Sequence, residues 1–276
     1  MAPPRYAVNC SIMMKDRPLK ERLAAAREAG FEAVEFWWPF ATPAPGADEV
    51  SGFVETVRAS GLRLVGLNLY AGDMPGGDRG VVSWPDSAGE LRASAAVAAR
   101  IGEELDCRSF NALYGNRRSD TSDTEQDAAA VRALGAVAEE VAAIGGQILV
   151  EPVSGAPDYP LLTAEDAVGV IDRVERETGA DNLRLLFDLY HLAVNGDDVP
   201  AALTRHHDRV GHVQVADAPG RGAPGTGGLP LGAWIQAITD GGYSGWFALE
   251  HTGEGTDPFG WLADSGLPGL PGRSGA

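Results

Sequence analysis

The chain has 276 residues, enough for one large domain or two small ones. It carries 39 acidic and 22 basic residues, and the formal net charge of −17 disfavours phosphate backbones and anionic membranes as partners. Only two cysteines occur, and no stretch approaches the roughly 20 apolar residues that span a bilayer. We therefore expect a cytoplasmic protein that binds a small molecule and neither nucleic acid nor membrane, with a homo-oligomer left open.

Short apolar runs alternate along the chain with longer segments rich in alanine and charge. Eight such runs are candidate strands, at 6–10, 33–37, 62–68, 109–113, 147–151, 183–188, 210–215 and 245–250. Between them lie candidate helices at 18–29, 48–60, 87–104, 124–144, 164–178, 199–207 and 231–240. Regular alternation of strand and helix predicts a parallel sheet, and eight units of this length fit a closed (β/α)8 TIM barrel of about 250 residues. No GxGxxG or Walker motif follows the first strand, which weakens the alternative of an open nucleotide-binding sheet.

The chain shows no convincing internal domain boundary. We predict a single barrel domain over residues 1–264. The last segment, 265–276, is rich in glycine and proline and has no periodic apolar face, so we expect a disordered tail.

Each of the last four predicted strands ends on a carboxylate or a carboxamide. Glu151 ends ILVE, Asp188 ends LLFD, Gln214 lies near the end of HVQV, and Glu250 ends FALE. A single acid at such a position is usually an ordinary solvated loop-edge residue. In a barrel, however, the C-terminal ends of the strands form the face where catalytic groups converge, so four in succession predict a site.

The charge of this set predicts a metal. Two unit charges about 4 Å apart interact by about 4 kcal/mol at an effective dielectric constant of 20, so gathered carboxylates repel strongly. No lysine or arginine ends these four strands. A divalent cation is the natural compensation, and an all-oxygen ligand set favours Mg²⁺ or Mn²⁺ over Zn²⁺.

Two further residues are candidates for substrate binding. His191 follows the sixth strand and either donates to a substrate oxygen, lies beside the metal, or is a loop histidine without a role. Arg221 is the only cation of the glycine-rich loop 218–228, and its planar guanidinium suits a substrate carboxylate. Near the second strand, Trp37 either packs in the core or forms a hydrophobic wall over the site. The sequence indicates no role for Glu35.

With these residues in place, the sequence resembles the hydroxypyruvate isomerase family within the xylose-isomerase-like TIM barrels, over about residues 5–262. The resemblance rests on the order and spacing of NCSIMM, AAAREAGFEAVEFWWP, NLYAGD…GDRG, ILVEPV, FDLYH, HVQVADAPGR…PGTG and GYSGWFALEH…GWL. It implies a metal site formed by Glu151, Asp188, Gln214 and Glu250. It also implies that Glu151 and Glu250 act as the acid/base pair and that His191 and Arg221 contact substrate.

The sequence departs from the family pattern around the substrate. Gly222 and Gly228 stand where relatives carry a histidine and a glutamate, Ser154 stands in a segment that differs after the fifth strand, and His251 replaces a tyrosine. The metal residues are retained while part of the substrate environment differs. The type of chemistry is therefore better determined than the substrate.

The resemblance implies a metal-dependent aldose–ketose-type isomerase that interconverts hydroxypyruvate and tartronate semialdehyde through a metal-stabilised enediolate. Another small-sugar isomerase or 3-epimerase of the same barrel, such as a 2-oxo-tetronate isomerase, is the nearest alternative. A metal nuclease of the endonuclease IV type is more remote, because such sites need more histidines and the five histidines and −17 charge here argue against it. A non-catalytic metal-binding protein is the last alternative.

Overall fold

The computed structural model describes residues 3–252 and 257–271. Eight parallel strands pair in sequence order and the eighth also pairs with the first, so the sheet closes into a barrel. The strands are β1 Arg5–Asn9, β2 Ala33–Phe36, β3 Arg63–Asn68, β4 Ser109–Asn111, β5 Gln147–Val150, β6 Leu183–Asp188, β7 Val210–Val215 and β8 Trp246–Leu249. The α-helices are α1 Leu19–Glu28, α2 Ala47–Ser60, α3 Ala88–Leu105, α4 Asp123–Ala142, α5 Ala164–Thr178, α6 Leu189–Val194, α7 Val199–His206 and α8 Leu231–Asp240. The predicted (β/α)8 TIM barrel is confirmed.

Helix α6 is an element that the sequence pattern did not predict. It begins directly after β6, where Asp188 Oδ1 accepts the backbone N–H groups of Tyr190 at 2.7 Å and His191 at 3.0 Å. This carboxylate cap pairs N–H groups that the first turn of a helix leaves open. The cap also places His191 beside the end of β6. Within the two described ranges, no helix is long and apolar enough to cross a membrane.

The interior of the barrel is lined by small and polar side chains. Ala7 lies in register with Ala33 on one side and with Ala248 on the other, and the three form an apolar cluster separate from the main core. The larger core lies between the sheet and the helices. Glu35 on β2 and His212 on β7 are on strands that do not pair, yet their side chains meet at 2.7 Å. That contact must cross the barrel interior, which places both side chains inside.

The segment 265–271 lies against the start of β1. The Tyr6 hydroxyl donates to the backbone carbonyl of Pro268 at 2.9 Å, and Leu267 and Leu270 pack against the core. Residues 272–276 lie outside the described residues. The domain limit at residue 264 and the disorder of the tail stay predictions, and these contacts belong to the part of the tail that is described.

Candidate active site

A cavity of about 860 Å³ opens at the C-terminal ends of the strands. Glu151, His191, Arg221 and Glu250 line it. Asp188 lies 3.6 Å from the Arg221 guanidinium, and Gln214 is the register partner of Asp188 on β7. The structure thus gathers the six predicted residues at one end of the barrel, and their individual roles remain predictions.

Glu151 follows β5 directly and is held by one strong donor. The Asn111 side-chain amide, at the end of β4, donates to Glu151 Oε2 at 2.6 Å. Burial raises the pKa of Glu151 well above its usual range, and the neighbouring Glu250 and Asp188 raise it further. The carboxyl is therefore a strong proton acceptor in a fixed orientation.

Glu250 follows β8 and is held from two sides. The Trp37 indole N–H donates to Oε1 at 2.5 Å, and Arg221 Nη2 lies 3.0 Å from Oε2. Burial raises the pKa of Glu250 to about 8, although Arg221 opposes that shift. A buried carboxyl with a pKa near neutrality is suited to exchanging protons with a substrate.

Arg221 places a cation beside the strand-end acids, whereas the sequence pattern predicted that no lysine or arginine accompanies them. Its Nη2 lies 3.0 Å from Glu250 Oε2 and 3.6 Å from Asp188 Oδ2, and its Nε donates to the Glu250 carbonyl at 3.0 Å. The guanidinium arrives from the loop after β7 and not from a strand end, so the strand pattern could not locate it. Glu151, Asp188 and Glu250 share this one guanidinium, so two negative charges are left uncompensated whenever all three carboxyls are ionised.

The loop that carries Arg221 is wound around a buried carboxylate. Asp217, 1% exposed, accepts backbone N–H groups at 2.9–3.0 Å from Ala218, Gly225, Gly227 and Leu229. These N–H groups are therefore paired with Asp217 and are not available to a ligand. Asp217 instead fixes the path of the loop and with it the position of Arg221, whose backbone adopts a left-handed φ of 56°.

His191 has one ring nitrogen committed to the backbone. Its Nδ1 accepts the Ser154 backbone N–H at 3.0 Å, and burial lowers the pKa of His191 to about 4, so the ring is neutral. Because a backbone N–H can only donate, the single ring proton lies on Nε2. Nε2 is 3.8 Å from Glu151 Oε1 and 3.7 Å from Asp188 Oδ2, and it can donate to an oxygen placed between them.

The oxygen atoms at this end of the barrel fit a divalent cation. Ligand atoms of Glu151, Asp188 and His191 lie within 4.8 Å of one another. Gln214 Oε1 is a buried acceptor that has no hydrogen-bond partner among the described residues. The two uncompensated charges and these oxygens suit Mg²⁺ or Mn²⁺. His191 presents an N–H there and no lone pair, so it suits a substrate contact better than metal ligation.

Sequence reasoning missed three side chains that hold the site. Asn111 binds Glu151, Trp37 binds Glu250, and Glu35 binds Gln214. Asn111 is a polar residue at the end of β4, but the predicted fourth strand extended to residue 113, so this position did not stand out as a strand end. Trp37 had none, since its contact depends on the conformation of the loop after β2.

Two of the residues that depart from the family pattern, Gly222 and His251, make defined contacts in the structure. Gly222 pairs with Asp217 through backbone hydrogen bonds in both directions, at 2.8 and 2.9 Å. His251 is fully buried with its ring edge-on to Trp261, at a centroid distance of 5.1 Å. Both positions therefore support the loops around the cavity.

Comparison with known proteins agrees with this architecture. A Streptomyces coelicolor protein that carries the name hydroxypyruvate isomerase is 44% identical, covering 94% of this chain and 95% of that protein. The 2-oxo-tetronate isomerase of Cupriavidus necator is 30% identical, covering 94% and 97%. A crystal structure named as an AP endonuclease of family 2 from Brucella melitensis matches with a TM-score of 0.83 at 27% identity, covering 94% and 98%. The model of the family described as xylose isomerase-like TIM barrel matches residues 23–266. The resemblance to the hydroxypyruvate isomerases is thus confirmed, and the chain belongs to the xylose isomerase-like TIM barrel family.

Proposed function

We propose that this chain, an isomerase of small hydroxy-oxo acids, interconverts hydroxypyruvate and tartronate semialdehyde. The observation that carries the proposal is the pair Glu151 and Glu250, two buried carboxyls with raised pKa values at one cavity. An isomerisation of this kind needs one group to take a proton from carbon and another to return one. The relative that shares 44% of its sequence and carries the hydroxypyruvate isomerase name supports the choice of substrate.

The two glutamates divide the proton transfers. One takes a proton from the hydroxymethyl carbon of hydroxypyruvate, and the other delivers a proton to the former carbonyl carbon. The hydroxyl proton passes to the second oxygen, so the substrate and the product have the same composition. Asn111 binds one carboxylate oxygen of Glu151, and Trp37 and Arg221 contact the two carboxylate oxygens of Glu250, so both carboxyls are held in fixed orientations.

We assign the cation to Glu151, Asp188, Gln214 and Glu250, with Mg²⁺ or Mn²⁺ as the ion. When bound, it supplies a Lewis acid for the negative charge that develops on the substrate oxygens. The support is the closeness of the Glu151 and Asp188 carboxylate oxygens, the negative charge that these acids carry when ionised, and Gln214 Oε1, which has no hydrogen-bond partner among the described residues.

Substrate binding is assigned to Arg221 and His191. The Arg221 guanidinium suits the substrate carboxylate, and the His191 Nε2–H suits a carbonyl or hydroxyl oxygen. Lys15 and Arg79 also line the cavity, and neither forms an ion pair with a described residue. An anionic substrate therefore meets several cations in a protein whose net charge is strongly negative.

A second candidate function is the isomerisation of a four-carbon acid or the 3-epimerisation of a small sugar. The cavity of about 860 Å³ is larger than a three-carbon acid requires. The Cupriavidus necator relative, named 2-oxo-tetronate isomerase, favours the same alternative. Turnover of hydroxypyruvate and of 2-oxo-tetronates, compared on one preparation, distinguishes the two functions.

The test of the mechanism is exchange of carbon-bound protons in D₂O. We expect hydroxypyruvate to exchange with Mg²⁺ or Mn²⁺ present and to stop exchanging after chelation. Glu250→Gln should lower the rate by about 10²–10⁴, the usual contribution of a general acid or base. The exposed Glu103→Gln is the matched control and should leave the rate unchanged. Metal-independent turnover, or an unchanged rate in Glu250→Gln, would refute the proposal.

A further inference from the structure

We propose that Glu35 is a positioning residue that holds the side-chain amide of Gln214 with its oxygen, and not its nitrogen, toward the metal site. The inference rests on the proposed function in one respect, the assignment of Gln214 as a metal ligand. It adds a residue buried inside the barrel for which the sequence pattern indicated no role.

Glu35 is the centre of a buried hydrogen-bond network. It is 3% exposed, and three side-chain nitrogens converge on its carboxylate. Asn9 Nδ2 lies 2.9 Å and Gln214 Nε2 2.8 Å from Oε1, while His212 Nε2 lies 2.7 Å from Oε2. The residues come from β1, β2 and β7, so the network spans the barrel interior. Such a network holds its members in one arrangement when each is satisfied.

Backbone N–H groups can only donate, and they fix the direction of the hydrogen bonds in this network. Asn9 Oδ1 accepts the backbone N–H groups of Ser11 at 3.0 Å and Ile12 at 3.4 Å. The amide nitrogen of Asn9 must therefore face Glu35, whose Oε1 accepts. A carboxylate has no donor of its own, so Gln214 can approach the same oxygen only with its NH₂ group.

The consequence appears at the other end of the Gln214 amide. With the nitrogen bound to Glu35, Oε1 faces away from the network and remains a buried acceptor without a partner among the described residues. Gln214 lies in register with Asp188 on one side and Ala248 on the other. A cation at the strand ends would satisfy that oxygen. The reversed amide would set its oxygen against the Glu35 carboxylate and its NH₂ against the cation, so Glu35 selects the ligating orientation.

The neighbouring strand leaves space for Glu35. A Cβ added at Gly66 on β3 would lie 3.0 Å from Glu35 Oε2 and 3.2 Å from Glu35 Cβ. Any larger residue at this position would press on the carboxylate. Gly66→Ala therefore perturbs Glu35 without deleting a hydrogen-bonding group.

The experiment measures Mn²⁺ affinity without substrate, from the electron paramagnetic resonance signal of free Mn²⁺. Glu35→Met removes the acceptor, whereas Glu35→Gln removes the charge and keeps an oxygen for Asn9 and Gln214. We expect Glu35→Met to weaken Mn²⁺ binding by about 10- to 100-fold, the usual cost of losing a residue that orients a metal ligand. Glu35→Gln should restore the affinity to within about threefold of wild type. In a Gln214→Met background, Glu35→Met should have no further effect.

Three results would overturn the inference: equal losses in Glu35→Gln and Glu35→Met, an undiminished effect of Glu35→Met in the Gln214→Met background, or wild-type Mn²⁺ affinity in Gln214→Met. Circular dichroism identifies a variant that fails to fold. If Glu35→Met does not fold, Gly66→Ala replaces it in the cycle with Gln214→Met. Gly66→Ala should then weaken Mn²⁺ binding in the wild-type background and have no further effect in the Gln214→Met background. Normal Mn²⁺ binding without isomerisation would refute the proposed function and leave this inference standing.

Discussion

In the protein stripped of divalent cations, raising the pH from 6.5 to 8 should lower stability. The pKa of Glu250 is raised by burial to about 8, from the ordinary value of 4.5, and that of Glu151 is also raised well above it. Such a carboxyl binds its proton more tightly in the folded state. Its contribution is fully present below the unfolded pKa and is lost as the pH rises through the folded pKa.

Two histidines act in the opposite sense at lower pH. Burial lowers the pKa values of His191 and His251 from 6.5 to about 4, so the unfolded state binds those protons more tightly. Stability therefore rises with pH between about 4 and 6.5 on their account, and this opposes the loss from the carboxyls. At pH 6.5 each histidine is still half protonated in the unfolded state, so the two together oppose the loss by about 0.8 kcal/mol between pH 6.5 and 8. Over this interval the carboxyls contribute the larger change.

The magnitude follows from the width of that interval. Each pH unit across which one proton is bound only by the folded state costs about 1.4 kcal/mol, so Glu250 alone contributes about 2 kcal/mol over 1.5 units. For a chain of this size, about 2 kcal/mol lowers Tm by about 4 °C or more. Glu151 changes Tm in the same direction.

Thermal unfolding followed by circular dichroism in excess chelator, at several pH values between 6.5 and 8, measures this change. In Glu250→Gln, the fall in Tm between pH 6.5 and 8 should be smaller than in the wild type, because the contribution of the Glu250 carboxyl is removed. Saturating Mn²⁺ should flatten the dependence in the wild-type protein, because a bound cation keeps the carboxylates ionised. A Tm that is constant or rises over this interval in the chelated wild type would refute the reasoning.

Two further substitutions test the residues that hold the site. Trp37→Phe deletes the N–H bound to Glu250 Oε1, and because a hydrogen bond to a charged group contributes about 1.5–3 kcal/mol, kcat should fall about tenfold or more and Tm should fall by several degrees; an unchanged kcat in steady-state kinetics would contradict this role. Asp217→Asn weakens the acceptor of the loop that carries Arg221, so Tm should fall by several degrees and KM should rise more than kcat falls; an unchanged KM with a lower Tm would mean that the loop does not position the guanidinium.

The sequence was informative where function depends on strands and weak where it depends on loops. Glu151, Asp188 and Glu250 could be placed together because parallel strands of known order bring their C-terminal ends to one face. Arg221 was expected at the site as a substrate contact, but its ion pair with Glu250 and the hydrogen bond from Trp37 were not, since each side chain reaches Glu250 from a loop whose path is set by contacts far apart in sequence. The same rule would have found Asn111 if the fourth strand had been predicted to end at residue 111, where β4 ends, and not at 113.

The same features explain why the acid cluster tolerates burial before a cation arrives. Arg221 compensates one charge, the N–H groups of Trp37 and Asn111 stabilise two carboxylate oxygens, and the raised pKa values of Glu151 and Glu250 mean that protons neutralise part of the remainder. A divalent cation that binds these oxygens must displace the protons, so binding and proton release are coupled. The affinity for the proposed cation should therefore rise with pH up to about 8, and the stability lost over that range in its absence should be recovered when it binds.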